Sequence, residues 1–292
     1  MSDKKITVLG SAAAEGIPAI FCVCDTCKQA WANGGKDVRM RTSYQLGEFV
    51  RIDFGPDALS QEYRYGLHSE KLRHIIVTHS HEDHFDTTLF YYRKSASFSK
   101  IDLNNTLHIY GGAGVMRKLN LSAWNWGKIV GFNGDLACLN MKDHKLNAFE
   151  PMELPDVDMT IYPLKADHMV NVNTEDPFIY IIRWEDKYLM VANDTGFFCD
   201  ENWEYLAKMN IKLSVVFNDS TNGAKERQRN HMSGSYVLET KRRLTELGLV
   251  DENTRYFVNH FSHNGNLTHA QLEEYYNPHG IGVGFDGLEI NL

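Results

Sequence analysis

The stretch Thr78-His79-Ser80-His81-Glu82-Asp83-His84-Phe85-Asp86 follows the apolar run Leu72–Val77, and it limits this chain more than any other feature. Imidazoles and carboxylates crowded at the end of a buried strand lose their hydration, and burying such groups without compensation is costly. A cation supplies that compensation. The nitrogen and oxygen donors suit Zn, Mn or Fe, and no thiolate lies within the stretch. On extended backbone, residues two apart point to one face, so His79 and His81 can hold the same ion. Asp83 and His84 are adjacent and cannot share that face. They fit a second ion across the loop, which predicts a two-metal site with ions about 3.5–4 Å apart. The alternative is a charged, histidine-rich turn that binds no metal.

The 292 residues lie a little above the usual limit for one core, but α/β chains of this size commonly form one domain. A hydrophobic content of 43% is ample for a folded protein. The net charge of −8 argues against a globally basic nucleic-acid surface, although a local basic patch stays open. Residues 1–10 contain no apolar segment of signal-peptide length, and no run approaches a membrane span. The expectation is a soluble, cytoplasmic protein. With no export signal, the five cysteines are expected as reduced thiols or metal ligands. Cys22, Cys24 and Cys27 form a C-x-C-x-x-C cluster whose thiolates repel one another unless a soft ion binds them. A redox or incidental cluster is the alternative. Cys138 and Cys199 stand apart and are expected to be small buried hydrophobes.

Along the chain, strands are expected at Lys5–Leu9, Phe49–Phe54, Leu72–Thr78, Leu107–Tyr110, Met159–Leu164 and Leu213–Phe217. Phe178–Trp184 and Lys187–Ala192 alternate around Glu185-Asp186 and predict a hairpin. Helices are expected at Leu89–Phe98, Asp200–Met209 and Ser235–Leu247, and Thr268 to Gln271 reads as a capping box. Gly111-Gly112-Ala113-Gly114 opens another helix, either as a simple first turn or as a phosphate cradle. Asn120–Pro151 is expected as loops and short strands near the mouth of the site. The run Asn222–Asn230, with Lys225, Arg227 and Arg229, is either solvated surface or a substrate loop. His260 and His263 are three apart on an extended segment, point to opposite sides, and therefore suit two different sites. Gly282-x-Gly284-x-x-Gly287 matches a dinucleotide-binding pattern, but only five residues follow it, too few for the required helix and strand.

His79-x-His81-x-Asp83-His84 after an apolar strand resembles the signature of the metallo-β-lactamase superfamily of metallohydrolases. The small-residue loop Gly10–Ala14, then Gly16-Ile17-Pro18-Ala19, then C-x-C-x-x-C, is similar to the phosphonate-pathway cyclic phosphodiesterase branch of that superfamily. So is the closing segment Gly284–Ile290. The resemblance implies an α/β fold, the four-layer αββα sandwich, as one domain over residues 1–292 with two pseudo-symmetric halves of roughly 1–150 and 151–292. It implies that His79, His81 and His168 hold one divalent ion and that Asp83, His84 and His260 hold the other, with Asp194 bridging. Zn, Mn and Fe all suit these catalytic positions. Cys22, Cys24, Cys27 and His263 are implied as a structural zinc site, and Asp53 as a buried support of the metal loop. Read without the resemblance, Asp194 is a turn residue, Asp53 a strand-end residue, and His231 a group flanking a helix. With it, Asp83, Asp194 and His231 are the catalytic candidates, His231 as proton donor to the leaving oxygen. The implied reaction is attack of a metal-bridged hydroxide on a small phosphodiester, cyclic ones included. The alternatives are another hydrolase of this fold, acting on a lactone, thioester or RNA, or a non-catalytic metal-binding accessory or cofactor-assembly protein. A small-molecule substrate is expected, without nucleic acid or membrane; a homo-oligomer stays open.

Overall fold

A computed structural model describes residues 4–94, 98–131, 133–170 and 175–292. The first sheet is built from β1 (Lys5–Gly10), β2 (Ser43–Leu46), β3 (Val50–Ile52), β4 (His74–Ile76), β5 (Leu107–Gly111) and β6 (Met141–Lys145). The second comprises β7 (Met152–Leu154), β8 (Met159–Lys165), β9 (Phe178–Trp184), β10 (Lys187–Ala192), β11 (Leu213–Asp219), β12 (Arg255–Asn259) and β13 (Gly282–Val283). The chain then returns as β14 (Glu289–Asn291) to the free edge of β1. The orders are β14-β1-β2-β3-β4-β5-β6 and β13-β12-β11-β10-β9-β8-β7.

Three bands of buried apolar side chains set the layers. Ile6, Tyr44, Ile52 and Ile76 from the first sheet pack with Tyr180, Ile182, Val191 and Phe217 from the second. Helices α1 (Asp25–Asn33), α2 (Ala58–Tyr65) and α3 (Ala113–Val130) belong to the first half. Of these, α2 and α3 cover the outer face of the first sheet through Ala58, Val115, Leu119 and Ala123. Helices α4 (Asp200–Met209), α5 (Gly234–Glu246) and α6 (His269–Tyr276) cover the second through Leu206, Val237, Leu244 and Leu272. The result is the αββα sandwich. Apolar burial of this kind contributes roughly 25 cal/mol per Å², which is why central strands such as Phe178–Trp184 are apolar on both faces.

Two expected elements differ. Residues 120–130 are not loop: Val115, Leu119 and Ala123 are buried at a spacing of four, and α3 runs on until Gly131 adopts a left-handed conformation and donates to the Gly127 carbonyl. Beyond it, β6 pairs parallel to β5 as a polar edge strand. The expected helix Leu89–Phe98 is only a short 3₁₀ turn, Phe90–Arg93; residues 95–97 lie outside the described residues. Aromatic side chains favour helix weakly, and Tyr91 instead packs on Phe98 and Trp126. Cys138 and Cys199 are half-buried rather than core.

Strands β3–β5 run parallel, as do β10–β12, and β8 points the same way as β10. Their carboxyl ends therefore deliver residues 78–86, 165–168, 193–196, 218–221 and 260–263 to one rim. Crevices at strand carboxyl ends are where α/β sheets place ligands. Among the described residues, no helix is long and apolar enough to cross a membrane.

Candidate functional site

Strand β4 stops short of the apolar run because the Thr78 amide turns away from the sheet and donates to Asp53 Oδ1 at 2.8 Å. That turn aims the metal loop into the rim. His81 Nδ1 then lies 2.9 Å from His79 Nε2 and 3.2 Å from His168 Nε2, so three ring nitrogens surround one point. His79, His81, His168 and Asp194 form one cluster, with ligand atoms all within 4.8 Å of one another. Asp83, His84, Asp194 and His260 form a second under the same limit. Asp194 belongs to both, and to a third such group with Asp219, His231 and His260. Its Oδ2 is 3.3 Å from His79 Nε2, 2.9 Å from His84 Nε2 and 3.5 Å from His260 Nε2.

Each half supplies a matching support. Asp53 accepts from the Thr78 hydroxyl, which faces His79 Nδ1 at 3.0 Å, and its Oδ2 lies 2.7 Å from His84 Nδ1. Asp219 accepts from the Thr221 amide and hydroxyl, and that hydroxyl faces His260 Nδ1 at 2.7 Å. With Nδ1 of these histidines engaged, Nε2 is left free to bind a cation. Asp53, Asp194 and His260 all hold left-handed backbones, with φ of 58°, 55° and 62°. Strain of this sort persists only where the surroundings over-determine it. Gly55 serves the same crowding, since a Cβ there would meet the Asp83 carbonyl oxygen at 1.9 Å.

The residues fit a pair of divalent cations. His84 Nε2 and His260 Nε2 are buried and, apart from their approach to the Asp194 carboxylate and, for His84, that of Asp83, make no hydrogen bond, although buried polar atoms normally find partners. Burial, then the neighbouring His84, pushes the His79 pKa well below the ordinary imidazole value. A neutral imidazole is the form that ligates.

The Cys3His group is gathered across the chain. Cys24 caps the N-terminus of α1, and His263 Nδ1 lies 3.3 Å from Cys24 Sγ and 3.5 Å from Cys22 Sγ. Cys22, Cys24, Cys27 and His263 meet the same proximity limit, and soft thiolate with imidazole suits zinc. Burial pushes the Cys27 thiol up to about 12, so it stays protonated at neutral pH unless a cation displaces the proton.

A cavity of about 400 Å³ opens over the His/Asp clusters and is lined by His81, Asp83, His168, Asp194, His231 and His260. His231 Nδ1 lies 3.1 Å from Asp194 Oδ1 and 3.4 Å from Asp219 Oδ2. Burial works against its charge, but the two carboxylates outweigh it and hold the imidazolium pKa at about 10. In the 222–230 run, Arg229 pairs with Asp167 and Lys225 donates to the Asn264 carbonyl. Arg227 lines the cavity and its guanidinium makes no ion pair or hydrogen bond among the described residues. A larger hollow of about 530 Å³ lies against β1 and β2 and is lined by none of these groups.

The glycines that open α3 cradle no phosphate: a Cβ on Gly114 would meet the Glu175 carboxyl at 2.3 Å, so that slot is filled from within. Glu175 instead grips the metal loop, accepting the Ser80 amide and hydroxyl at 2.6 Å each, while Lys118 Nζ donates to the Ser80 carbonyl. Sequence reading missed Glu175, Lys118, Thr221 and Asp219. Only Asp219 carried a signal, a carboxylate that ends a buried apolar strand just as Asp53 does.

A profile described as a beta-lactamase superfamily domain matches residues 49–247, more than half of the chain. No curated protein matches the sequence. Among solved structures, a diphosphatase of the PhnP family is similar at 24% identity and TM-score 0.69, covering 99% of this chain and 96% of that one. Zn-bound PqqB from Methylobacterium extorquens is similar at 15% identity and TM-score 0.69, covering 99% and 100%. The short form of human tRNase Z is similar at 14% identity and TM-score 0.64, covering 98% of each chain. At these identities the likeness shows a shared fold.

Proposed function

Because this chain belongs to the β-lactamase superfamily, and its residues fit a metallohydrolase centre, we propose that it is a two-metal phosphodiesterase acting on a small, including cyclic, phosphodiester. One observation carries the reading: both ligand clusters share Asp194 beneath a cavity whose remaining charged lining is Glu15, His231 and Arg227, the last without an ion pair or side-chain hydrogen bond among the described residues, so that cationic groups outnumber the acid. Such a lining suits an anionic substrate. The likeness to a PhnP-family diphosphatase and the C-x-C-x-x-C resemblance support the same class.

In this reading His79, His81 and His168 would hold one cation and Asp83, His84 and His260 the other, with Asp194 available to both. Divalent cations held there would supply Lewis acidity, lowering the pKa of a bound water and offsetting charge on phosphoryl oxygens. The protein's own groups do the rest. Asp53, Thr78, Thr221 and Asp219 fix the histidine tautomers. The Asp194 and Asp219 carboxylates engage His231 at Nδ1, which leaves Nε2 to give a proton to the leaving oxygen. Arg227 binds a non-bridging oxygen or another anionic group of the substrate, as guanidinium geometry favours.

The test is hydrolysis of bis(p-nitrophenyl) phosphate and of a five-membered cyclic phosphodiester by protein of measured metal content, with and without added Mn. Metal-dependent turnover that is abolished in His81→Ala is the expected result. No turnover by fully loaded protein would overturn the phosphodiesterase reading and favour a carbonyl ester, a thioester or an accessory role.

A further inference from the structure

The Cys3His group and the His/Asp clusters meet in one short segment, because His260 belongs to the latter and His263 to the former. One side chain spans the interval. Glu15, in the loop after β1, accepts the Ser262 hydroxyl, and the same Oε1 lies 3.4 Å from Asn264 Nδ2 and 3.4 Å from His263 Nε2. His263 thus faces the thiols with Nδ1 and a carboxylate with Nε2. That arrangement fixes a ligand's tautomer and ring orientation. Glu15 and Ser262 also line the cavity beside His81, Asp83 and His260.

The backbone makes this contact consequential. His260 sits at φ 62°, a conformation that an L-residue keeps only under external restraint. Those restraints include the Thr221 hydroxyl on the His260 carbonyl, the Phe261 amide on the Ser11 carbonyl, the Ala13 amide on the Phe261 carbonyl, and Glu15 on Ser262. All but the first tie the segment to the loop that carries Glu15.

We propose that Glu15 is a positioning residue that couples the two metal sites: an occupied Cys3His site holds His263 and Glu15, Glu15 holds Ser262, and Ser262 helps hold His260 as a ligand. The Cys3His site then sets the affinity of the second catalytic position. The proposal rests on the metal-centre reading above. Its readout is metal binding, so it can fail while phosphodiester hydrolysis stands, and stand while hydrolysis fails.

The experiment measures Mn affinity of the His/Asp centre in wild type, Glu15→Gln, Cys24→Ser and the double variant, each checked for native circular dichroism. Glu15→Gln and Cys24→Ser are each expected to weaken Mn binding at least about fivefold, the low end for coupled sites. The double variant is expected to be no weaker than the worse single one, since both changes cut the same path. Wild-type Mn affinity in Glu15→Gln, or fully additive losses in the double variant, would overturn the coupling. Should Cys24→Ser not fold, zinc extraction from wild type and from Glu15→Gln with an organomercurial gives the same comparison: extraction weakens Mn binding in the first and leaves the second unchanged. Equal weakening in both would overturn the proposal.

Discussion

The Tyr44 hydroxyl, buried on β2 of the first sheet, accepts the side-chain amide of Asn259 at 2.7 Å from the second. It also accepts the amide of Asn193. Asn193 and Asn259 directly precede Asp194 and His260, two candidate ligands with left-handed backbones. One phenol from one sheet therefore restrains two ligand positions on the other.

Tyr44→Phe should leave both buried amides short of an acceptor. A loss of roughly 1–3 kcal/mol in stability is expected for such an orphaned group, together with weaker metal binding. Denaturant unfolding and metal titration check it; unchanged metal affinity in the Tyr44→Phe variant would show that the asparagines act only in packing.

Asp194→Ala removes the carboxylate common to both clusters. Metal analysis after dialysis should show loss of bound metal at the His/Asp centre, with the Cys3His zinc retained, and hydrolysis should fall by several orders of magnitude. Two metals bound with preserved turnover would contradict the bridging role.

For His231→Ala, a folded and metal-replete protein is expected, with kcat lowered about 10²–10⁴-fold on substrates with basic leaving groups. The loss should shrink as the leaving group becomes more acidic. An equal loss across a series of leaving groups would remove the proton-donor role.

Arg227→Ala should raise KM for anionic substrates with little change in melting temperature, because its exposed guanidinium makes no ion pair or hydrogen bond among the described residues. A neutral ester tested in parallel should be unaffected; equal effects on both would mean that the residue only shapes the loop.

Acid stability is expected to depend on His74, the first residue of β4. Burial, then the neighbouring His108, lowers its pKa from 6.5 to about 4. Between those values the unfolded chain binds more protons than the folded one, so the stabilisation is complete above pH 6.5 and is lost as pH falls toward 4. The expected loss at pH 5 is about 2 kcal/mol. His74→Asn should therefore show a smaller drop in melting temperature between neutral pH and about pH 5 than wild type. An identical drop in both proteins would place the acid sensitivity elsewhere.

The crowding of His79, His81, Asp83 and His84 was legible because it is local in sequence; the grouping of His79 with His81 and of Asp83 with His84 also holds in the structure, although the loop is built of bends and turns and not of the extended backbone expected. The hairpin Phe178–Trp184 with Lys187–Ala192 was legible for the same reason, as alternation around a turn. Helix α3 was misread beyond Asn120 because its exposed face carries Leu121, Trp124 and Ile129, which blurs the helical apolar stripe. The roles proposed for Asp194, His168 and His260 came from the superfamily resemblance and not from a derivation: Asp194 and His168 read alone as turn or strand-end residues, and for His260 the spacing to His263 pointed only to two separate sites.

What the sequence by itself determined is the set of candidate ligand types and their closeness along the chain, because these follow from residue chemistry and spacing; their facing was set by the turn at Thr78. Only the tertiary structure decided which groups support them. Glu175 reaches Ser80 across 95 residues, Tyr44 reaches Asn259 across 215, and Glu15 reaches Ser262 across 247. Contacts between such distant positions leave no periodic trace in the chain. They come into being when the two sheets close on their shared core and bring the strand ends to one rim.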